Sequence, residues 1–152
     1  MNQIENIDYF KKNDDKLSTA GQPKQDELKL IADEGFEVVI NIRPESEMLE
    51  IFDEKKIVEN LGLKYFQIPV MLETLNSETI SKFFELIRKQ KEKKIFLHCR
   101  KNIRVSILLA LYQIVELGWK REDAIIELME MVDFDPMLET FINEQIEYFQ
   151  SN

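Results

Sequence analysis

Two periodicities of apolar residues alternate along this chain, and together they predict strands that alternate with helices. The strand candidates are short, β-branched or aromatic, and nearly continuous in apolar character, as buried parallel strands are. They lie at residues 17–20, 36–42, 63–68 and 95–98. Between the strands, apolar residues recur three and four positions apart, which is typical of one buried helix face. Such helices are expected between residues 23 and 35, 47 and 60, 104 and 117, and 121 and 131, with two more that begin near 77 and 136.

Several residues suggest where these helices begin and what they bury. Pro23 suits the first position of its helix, and Ser77 is expected to cap another. In the helix from about 47 to 60 we expect Met48, Leu49 and Phe52 to face the core. The helix from about 104 to 117 is apolar on nearly every side, so it should be buried by neighbours all round.

The order of these elements indicates the fold class. Strands that alternate with helices imply right-handed crossovers and a mainly parallel sheet covered on both faces. We therefore predict an α/β fold with one domain over residues 1–152, whose sheet of about four to five strands is flanked by helices. The first fifteen residues either pack an aromatic edge or fray. Ligands of such sheets bind at the carboxyl ends of the strands.

Composition narrows the classes of function. A net charge of −9 argues against a broad nucleic-acid surface, because phosphate neutralisation needs many clustered cations. No apolar run is long enough to cross a membrane, and the first residues lack the segments of a signal peptide. One cysteine and one histidine cannot form a disulfide or a closed zinc site from those ligands, so we expect no metal and no cofactor. A reducing cytoplasm is the simplest location.

The chain's only histidine and only cysteine, His98 and Cys99, end the last predicted strand. Three cations, Arg100, Lys101 and Arg104, follow within five residues, just before a helix. The N–H groups and dipole at a helix N-terminus favour an anion and also favour a thiolate. We therefore expect Cys99 to ionise more readily than a free thiol. A cysteine at a strand end can equally be a small buried apolar residue, and a basic cluster can be a solvated face.

Individual side chains of this segment suit different tasks. Arg104 offers a planar fork that matches two oxygens of a phosphoryl or sulfuryl group. Ser106 lies one turn into the helix, where its hydroxyl could reach the sulfur of Cys99. His98 is expected to order the loop by hydrogen bonding, and Arg43 to serve structure by pairing with Glu45 or Glu47.

The segment from His98 to Ser106 resembles the active loop of dual-specificity cysteine phosphatases, although only four residues separate Cys99 from Arg104 where those enzymes usually have five. The shorter loop is similar to that of a nonclassical bacterial group, the beta-lactamase-hydrolase-like phosphatases, whose pattern is approximately His-Cys-x-x-Asn-x-Arg-x-Ser. Upstream residues also match that group. They are Ala20-Gly21-Gln22-Pro23, Gly35-Phe36, Val39-Ile40-Asn41-Ile42-Arg43-Pro44 and Ile68-Pro69-Val70.

The resemblance implies a cysteine-phosphatase-like fold and a two-step hydrolysis of phosphate monoesters, phosphotyrosine among them, on a small molecule or a protein. It implies that Cys99 is the nucleophile, that Arg104 and the loop amides hold the phosphoryl oxygens, and that Ser106 assists breakdown of the phosphocysteine. Related enzymes often place an aspartate acid after the Ile-Pro-Val strand. Here Glu73 is the nearest carboxylate and thus the candidate acid. The implied substrate-binding residues are Arg100, Lys101, Asn102, Ile103 and Arg104.

The loop lacks glycine, so we expect Asn102, which tolerates a left-handed backbone, at its bend. Two other functions stay open at this point. A rhodanese-like sulfurtransferase also places four residues between its cysteine and arginine, and a catalytically weak phosphate-binding or interaction module would fit the absent aspartate.

Overall fold

The structure is a computed structural model that describes residues 3–49 and 51–151. Its strands are β1 (Lys11–Lys12), β2 (Leu17–Ala20), β3 (Val38–Asn41), β4 (Lys64–Gln67) and β5 (Ile95–His98). Its α-helices are α1 (Glu27–Asp33), α2 (Glu54–Asn60), α3 (Ser77–Gln90), α4 (Ile103–Val115), α5 (Arg121–Leu128) and α6 (Pro136–Ser151). Single turns of 3-10 helix occur at Ile4–Asn6, Glu45–Glu47 and Leu72–Thr74.

The five described strands form one sheet in the order β1-β2-β5-β3-β4. Of these five, only the short edge strand β1 is antiparallel, and the predicted mainly parallel α/β fold is confirmed. In the centre, β5 pairs with β2 and with β3, so that Ala20, Asn41 and His98 are register partners at the carboxyl edge. This edge is where parallel sheets bind ligands.

Alternate residues of the central strands supply two cores, one on each face of the sheet. Val38, Ile40 and Leu97 pack with α3, α4 and α6, whereas Val39 and Phe96 pack with α1, α2 and the N-terminal turn. Both faces are covered, which explains why these strands are almost continuously apolar. Each such fully buried side chain contributes about 1.5–3 kcal/mol relative to exposure.

Helix α4 is the most completely buried helix among the described residues, as its apolar circumference predicts. Buried residues occur at 105 and throughout 107–114, and α4 contacts α3, α5, α6 and β2. A helix packed on every side is firmly placed, so its N-terminus is a rigid support for the segment that contains Cys99.

Four predicted details of the helices are wrong. The helix expected from about 47 begins at Glu54, after the 3-10 turn, and Leu49 is 81% exposed instead of buried. Helix α1 begins at Glu27 and not at Pro23. The cap of α3 is Asn76, whose side chain accepts from the amide of Thr79 at 2.9 Å, one residue before the expected Ser77.

The N-terminal segment packs against the domain from residue 3 onward; residues 1 and 2 lie outside the described chain. Ile4 and Ile7 are buried in the core with Phe96, and β1 extends the sheet beside β2. The described part of this segment thus packs against the domain through Ile4, Ile7 and β1.

Candidate active site

Cys99 directly follows β5 and lies beneath the loop that leads to α4. Its side chain is 1% exposed, and its amide donates to the carbonyl of Ala20 at 3.3 Å. Helix α4 begins four residues later, at Ile103. Because the first N–H groups of a helix lack intrahelical acceptors, the loop, the helix end and the thiol meet in an environment that favours negative charge.

Asn102 sets the bend of this loop. Its φ of 63° and ψ of 18° are left-handed, a conformation that asparagine tolerates better than most other non-glycine residues. The prediction that Asn102 would occupy the bend of a loop without glycine is confirmed.

The side chain of Asn102 is fully buried and uses all its hydrogen-bonding groups on neighbouring elements. Nδ2 donates to the carbonyl of Tyr9 at 2.9 Å and to Oγ1 of Thr19 at 3.0 Å. Its Oδ1 accepts from Oγ of Ser106 at 2.9 Å. The hydroxyl of Ser106, which was expected to reach the sulfur of Cys99, thus donates to the loop asparagine in this structure.

The motif Ala20-Gly21-Gln22-Pro23 contacts the loop after Cys99 at Gly21. The amide of Gln22 donates to the carbonyl of Arg100 at 3.0 Å, and a β-carbon at Gly21 would lie 2.5 Å from that oxygen. Only a residue without a side chain allows this approach of two backbones. The Gly21-Gln22-Pro23 segment therefore buttresses the loop that follows Cys99.

Arg104 is held in place by a carboxylate from another part of the chain. Its Nη1 and Nη2 donate to the two carboxylate oxygens of Glu47 at 3.0 and 2.9 Å, and Nη1 also donates to the carbonyl of Val70 at 2.8 Å. The side chains of Arg104 and Glu47 are 14% and 24% exposed. The hydrogen bond from Arg104 lowers the pKa of Glu47; burial opposes this and Arg43 reinforces it.

The guanidinium of Arg104 uses three of its five N–H donors on the described part of the protein. Of its five N–H groups, Glu47 takes two and Val70 takes one. Among the described residues, the Nε–H and the second Nη2–H have no protein acceptor. These two donors form one side of the planar fork, so Glu47 fixes the orientation of Arg104 and leaves a two-donor side for an anion.

A chain of polar contacts continues from Glu47 into the interior. The Nε of Arg43 donates to Glu47 at 3.0 Å and its Nη1 donates to Oε1 of Gln22 at 2.9 Å. Nε2 of Gln22 in turn donates to Glu54 at 2.6 Å. The structural role expected for Arg43, with Glu47 as its partner, is confirmed.

This chain of contacts ends at a buried pair, His98 and Glu54. Nδ1 of His98 lies 3.1 Å from the carbonyl oxygen of Cys99, which can only accept, so that nitrogen carries a proton. Nε2 lies 2.6 Å from Oε2 of Glu54, and this contact needs one further proton. Burial alone would raise the pKa of Glu54, but the charge and hydrogen bond of His98, with contributions from Gln22 and Arg43, lower it. The ionised carboxylate of Glu54 is therefore favoured, and it holds the imidazole of His98 in place directly behind Cys99.

The remaining predicted site residues lie at the surface. Glu73 is exposed in the 3-10 turn after β4 and, with Arg104 and Glu47, lines a cavity of about 200 Å³. Arg100 and Lys101 are exposed on the loop, and Ile103 is 37% exposed. The structure thus brings Glu73 to the same cavity as Arg104, whereas Arg100 and Lys101 face solvent.

Comparison with known proteins places this geometry in a family. A family model described as "DSP-PTPase phosphatase fused to NAD+ Kinase" matches residues 2–140. The chain belongs to this family. Beta-lactamase hydrolase-like proteins from two strains of Xylella fastidiosa, Temecula1 and 9a5c, are each 28% identical to it over 112 residues. That match covers 72% of this chain and 26% of each relative, so the chain spans about a quarter of the length of these curated proteins.

Solved structures show the same fold. A candidate phosphatase of the DUF442 group from Shewanella putrefaciens CN-32 is 26% identical, with a TM-score of 0.79 and 98% of both chains covered. A candidate phosphatase from Neisseria meningitidis Z2491 is 22% identical, with a TM-score of 0.70 over 88% of this chain and 96% of the other. Together with the family match, these likenesses show that the chain carries a phosphatase domain of the DSP-PTPase type.

The sequence did not indicate that Glu47 contacts Arg104, or that Gln22 and Glu54 connect Arg43 to His98. Gln22 was noted only as part of a matching motif, and Glu47 only as a partner of Arg43. Glu47 and Glu54 lie 57 and 44 positions away from the residues that they contact, Arg104 and His98. A weak indication existed for Glu47, which lies four residues after Arg43 in a segment that follows a strand. Nothing local marks Glu54 as buried, because its neighbours in the sequence are mostly charged.

Two features are absent from the described part of the chain. Within residues 3–49 and 51–151, no helix is long and apolar enough to cross a membrane. The same residues contain no cluster of three or more His, Cys, Asp or Glu side chains that could hold a metal ion.

Proposed function

We propose that this DSP-PTPase domain hydrolyses phosphate monoesters through a phosphocysteine at Cys99. The observation that carries this proposal is the two-donor side of Arg104, which Glu47 orients beside a helix N-terminus that starts four residues after the thiol. Such a fork matches two equatorial oxygens of a phosphoryl group. The membership of the chain in the DSP-PTPase family supports the same reaction.

In the first step the sulfur of Cys99 attacks phosphorus, so that an S–P bond forms as the ester P–O bond breaks. Arg104 and the loop amides bind the equatorial oxygens, and the hydrogen bonds of His98 to the carbonyl of Cys99 and to Glu54 hold the start of the loop in place. The departing alkoxide takes a proton from Glu73, the carboxylic acid that shares the cavity with Arg104.

In the second step water attacks phosphorus, the S–P bond breaks and inorganic phosphate leaves. Glu73, now a carboxylate, accepts a proton from that water. We assign to Ser106 a rotation away from Asn102, after which its hydroxyl donates to the departing sulfur. Of the predicted substrate-binding residues, we assign Arg104 and the amides of the loop to the phosphoryl oxygens, and Arg100, Lys101 and Ile103 to the surface that the substrate approaches. The side chain of Asn102, which bonds Tyr9, Thr19 and Ser106, shapes the loop instead of binding substrate. A reducing compartment such as the cytoplasm would keep Cys99 in its thiol form.

Two structural neighbours were solved with phosphate esters bound. TpbA of P. aeruginosa was solved as a cysteine-to-serine variant in complex with pTyr, with 13% identity and a TM-score of 0.72. PTPMT1 was solved in complex with PI(5)P, with 17% identity and a TM-score of 0.76. We propose a phosphorylated substrate for this chain as well, with phosphotyrosine as the first ester to test.

The test is hydrolysis of p-nitrophenyl phosphate by the purified chain and by its variants. Cys99→Ser should abolish turnover while the thermal unfolding transition is retained, and Arg104→Lys, which keeps the charge but loses the fork, should lose most of kcat/KM. Acid quench of the parent during turnover should trap a phosphate adduct on the peptide that contains Cys99. Turnover by Cys99→Ser at the rate of the parent would overturn the proposal, as would sulfur transfer from thiosulfate to cyanide without any phosphatase activity.

The role of Glu73 needs esters with different leaving groups. Glu73→Gln should lower kcat roughly 10²-fold on phenyl phosphate, whose leaving group needs a proton, and much less on p-nitrophenyl phosphate. Glu78→Gln, an exposed substitution on α3, is the matched control. Equal effects of Glu73→Gln on both esters would remove Glu73 as the acid and leave the nucleophile assignment intact.

A further inference from the structure

An apolar recess lies beside the candidate active site, between the start of α4, the start of α6 and the 3-10 turn that carries Glu73. Its volume is about 300 Å³. Its apolar lining comes from Leu72, Ile103, Ile107, Met137, Leu138 and Phe141. Leu72, Ile103 and Met137 are 43%, 37% and 83% exposed, so this apolar surface is open to solvent.

The recess adjoins the cavity of Arg104 at Leu72. Leu72 lines both, and Glu73, the next residue, lines only the cavity of Arg104. Ile103 and Ile107 are one helical turn apart and face the recess, whereas Arg104 faces the anion cavity. When a phosphate ester binds Arg104 through its phosphoryl group, the rest of the ester would therefore lie beside this apolar surface.

The rim of the recess is acidic. Asp133 and Asp135 line it and are exposed, and Oδ1 of Asp135 is fixed by the amide of Leu138 at 2.8 Å. Among the described residues that line the recess there is no lysine or arginine. This chemistry differs from the other side of the loop, where Arg100 and Lys101 are exposed, and it favours a positively charged group next to an apolar one.

We propose that the recess binds the residues next to the phosphorylated residue of a peptide substrate, an apolar side chain followed by a lysine or arginine. The proposal rests on the function proposed above and adds the substrate class. The apolar side chain enters the recess and the cation pairs with Asp133 and Asp135. A phosphoinositide surface fits less well, because its negative charge meets two carboxylates on a chain whose net charge is −9.

The test uses three phosphotyrosine peptides of equal length that differ only beside the phosphorylated residue: Leu-Lys, Leu-Glu and Gly-Gly. Binding to the Cys99→Ser protein is measured by fluorescence anisotropy, and kcat/KM is measured with the parent. We expect the Leu-Lys peptide to exceed the Leu-Glu peptide by about 3- to 10-fold in both, the range that two exposed ion pairs provide.

Variants in the recess should remove this preference selectively. Asp133→Asn with Asp135→Asn, which keeps an acceptor for the amide of Leu138, should bring the two leucine peptides within about twofold of each other. Met137→Ser should weaken both leucine peptides but not the Gly-Gly peptide. Neither change should alter turnover of p-nitrophenyl phosphate, and Glu122→Gln with Asp123→Asn on α5 is the charge-matched control.

Equal binding of all three peptides would overturn the proposal, and so would a preference that survives the double aspartate substitution. The proposal would also be overturned, in favour of a lipid, if vesicles that contain phosphoinositide displace the bound peptides while the peptides do not displace bound vesicles. If the Leu-Lys preference is present in binding to Cys99→Ser while the parent hydrolyses no ester, the recess is supported and the proposed phosphatase function fails instead.

Discussion

Glu47 offers the sharpest test of how this site is assembled. Replacement by glutamine keeps the size of the side chain but leaves one acceptor oxygen and puts an amide N–H₂ where Arg104 donates. One of the two charge-assisted hydrogen bonds to Arg104 is lost, and so is the charge that Arg43 also contacts. We expect the guanidinium of Arg104 to lose its fixed orientation.

The size of the expected effect of Glu47→Gln follows from the burial of the Arg104–Glu47 ion pair. Hydrogen bonds to charged groups contribute about 1.5–3 kcal/mol, and breaking a fully buried ion pair costs about 3–5 kcal/mol. Since the side chain of Glu47 is 24% exposed, we take a value near the lower end, about 2 kcal/mol. That corresponds to a loss of roughly 30-fold in kcat/KM if the oriented fork acts in the transition state. The same cost would lower Tm by about 4–8 °C.

The assay compares Glu47→Gln with Glu45→Gln, a neighbouring exposed glutamate in the same 3-10 turn. Turnover of p-nitrophenyl phosphate and inhibition by inorganic phosphate are measured well below Tm. A double-mutant cycle with Arg104→Lys then gives the coupling between the two side chains. The reasoning is refuted if Glu47→Gln keeps kcat/KM within about twofold of Glu45→Gln, or if phosphate inhibits it more strongly because Glu47 had merely competed for the fork.

Three further predictions concern the support of the loop. Gly21→Ala should destabilise the domain by about 1–3 kcal/mol in urea unfolding, because its β-carbon would lie 2.5 Å from the carbonyl of Arg100; an unchanged midpoint would contradict the close approach. Asn102→Gly should keep the left-handed bend but lose three hydrogen bonds, so it should lower Tm and weaken phosphate binding, and Asn102→Ala should do both more severely. The pKa of Glu54 is lowered in the folded domain, so its ionised carboxylate stabilises the domain fully above the unfolded pKa of about 4.5, and this stabilisation is lost as the pH falls below that value. Glu54→Gln should therefore lose less stability than the parent in urea unfolding between about pH 5 and pH 3. If both proteins lose stability equally over this range, the pair with His98 does not stabilise the domain.

The fold was predictable because its information is local. Strands β3 and β5 are apolar at nearly every position, and α4 is apolar on every side, so their burial could be deduced without knowing their neighbours. The segment after β3 was not predictable in this way. Its Met48, Leu49 and Phe52 have helical spacing, but Glu47 is held by Arg43 and Arg104, and these ion pairs stabilise a 3-10 turn where spacing favoured a helix.

The residues of the candidate site likewise differ in whether local sequence could predict them. The sequence could predict these four residues because they lie in one short segment, where a single loop constrains their spacing: Cys99, Asn102, Arg104 and Ser106. Their partners come from the N-terminal segment, from β2, from the turn after β3 and from the loop after β4, and no periodicity connects those segments. The hydroxyl of Ser106 illustrates the limit of spacing: its distance along the helix allowed contact with the sulfur, but it donates instead to the side chain of Asn102.

The contact between Asn102 and the carbonyl of Tyr9 has a consequence for the order of folding. It joins residues 93 positions apart, across almost two thirds of the chain. Closing so long a loop is entropically costly and slow compared with forming a helix, so this contact should form late. A nearly folded chain whose first ten residues have not yet docked would have its sheet and helices in place but a loose bend after Cys99. Far-ultraviolet circular dichroism should therefore recover during refolding before phosphate binding does.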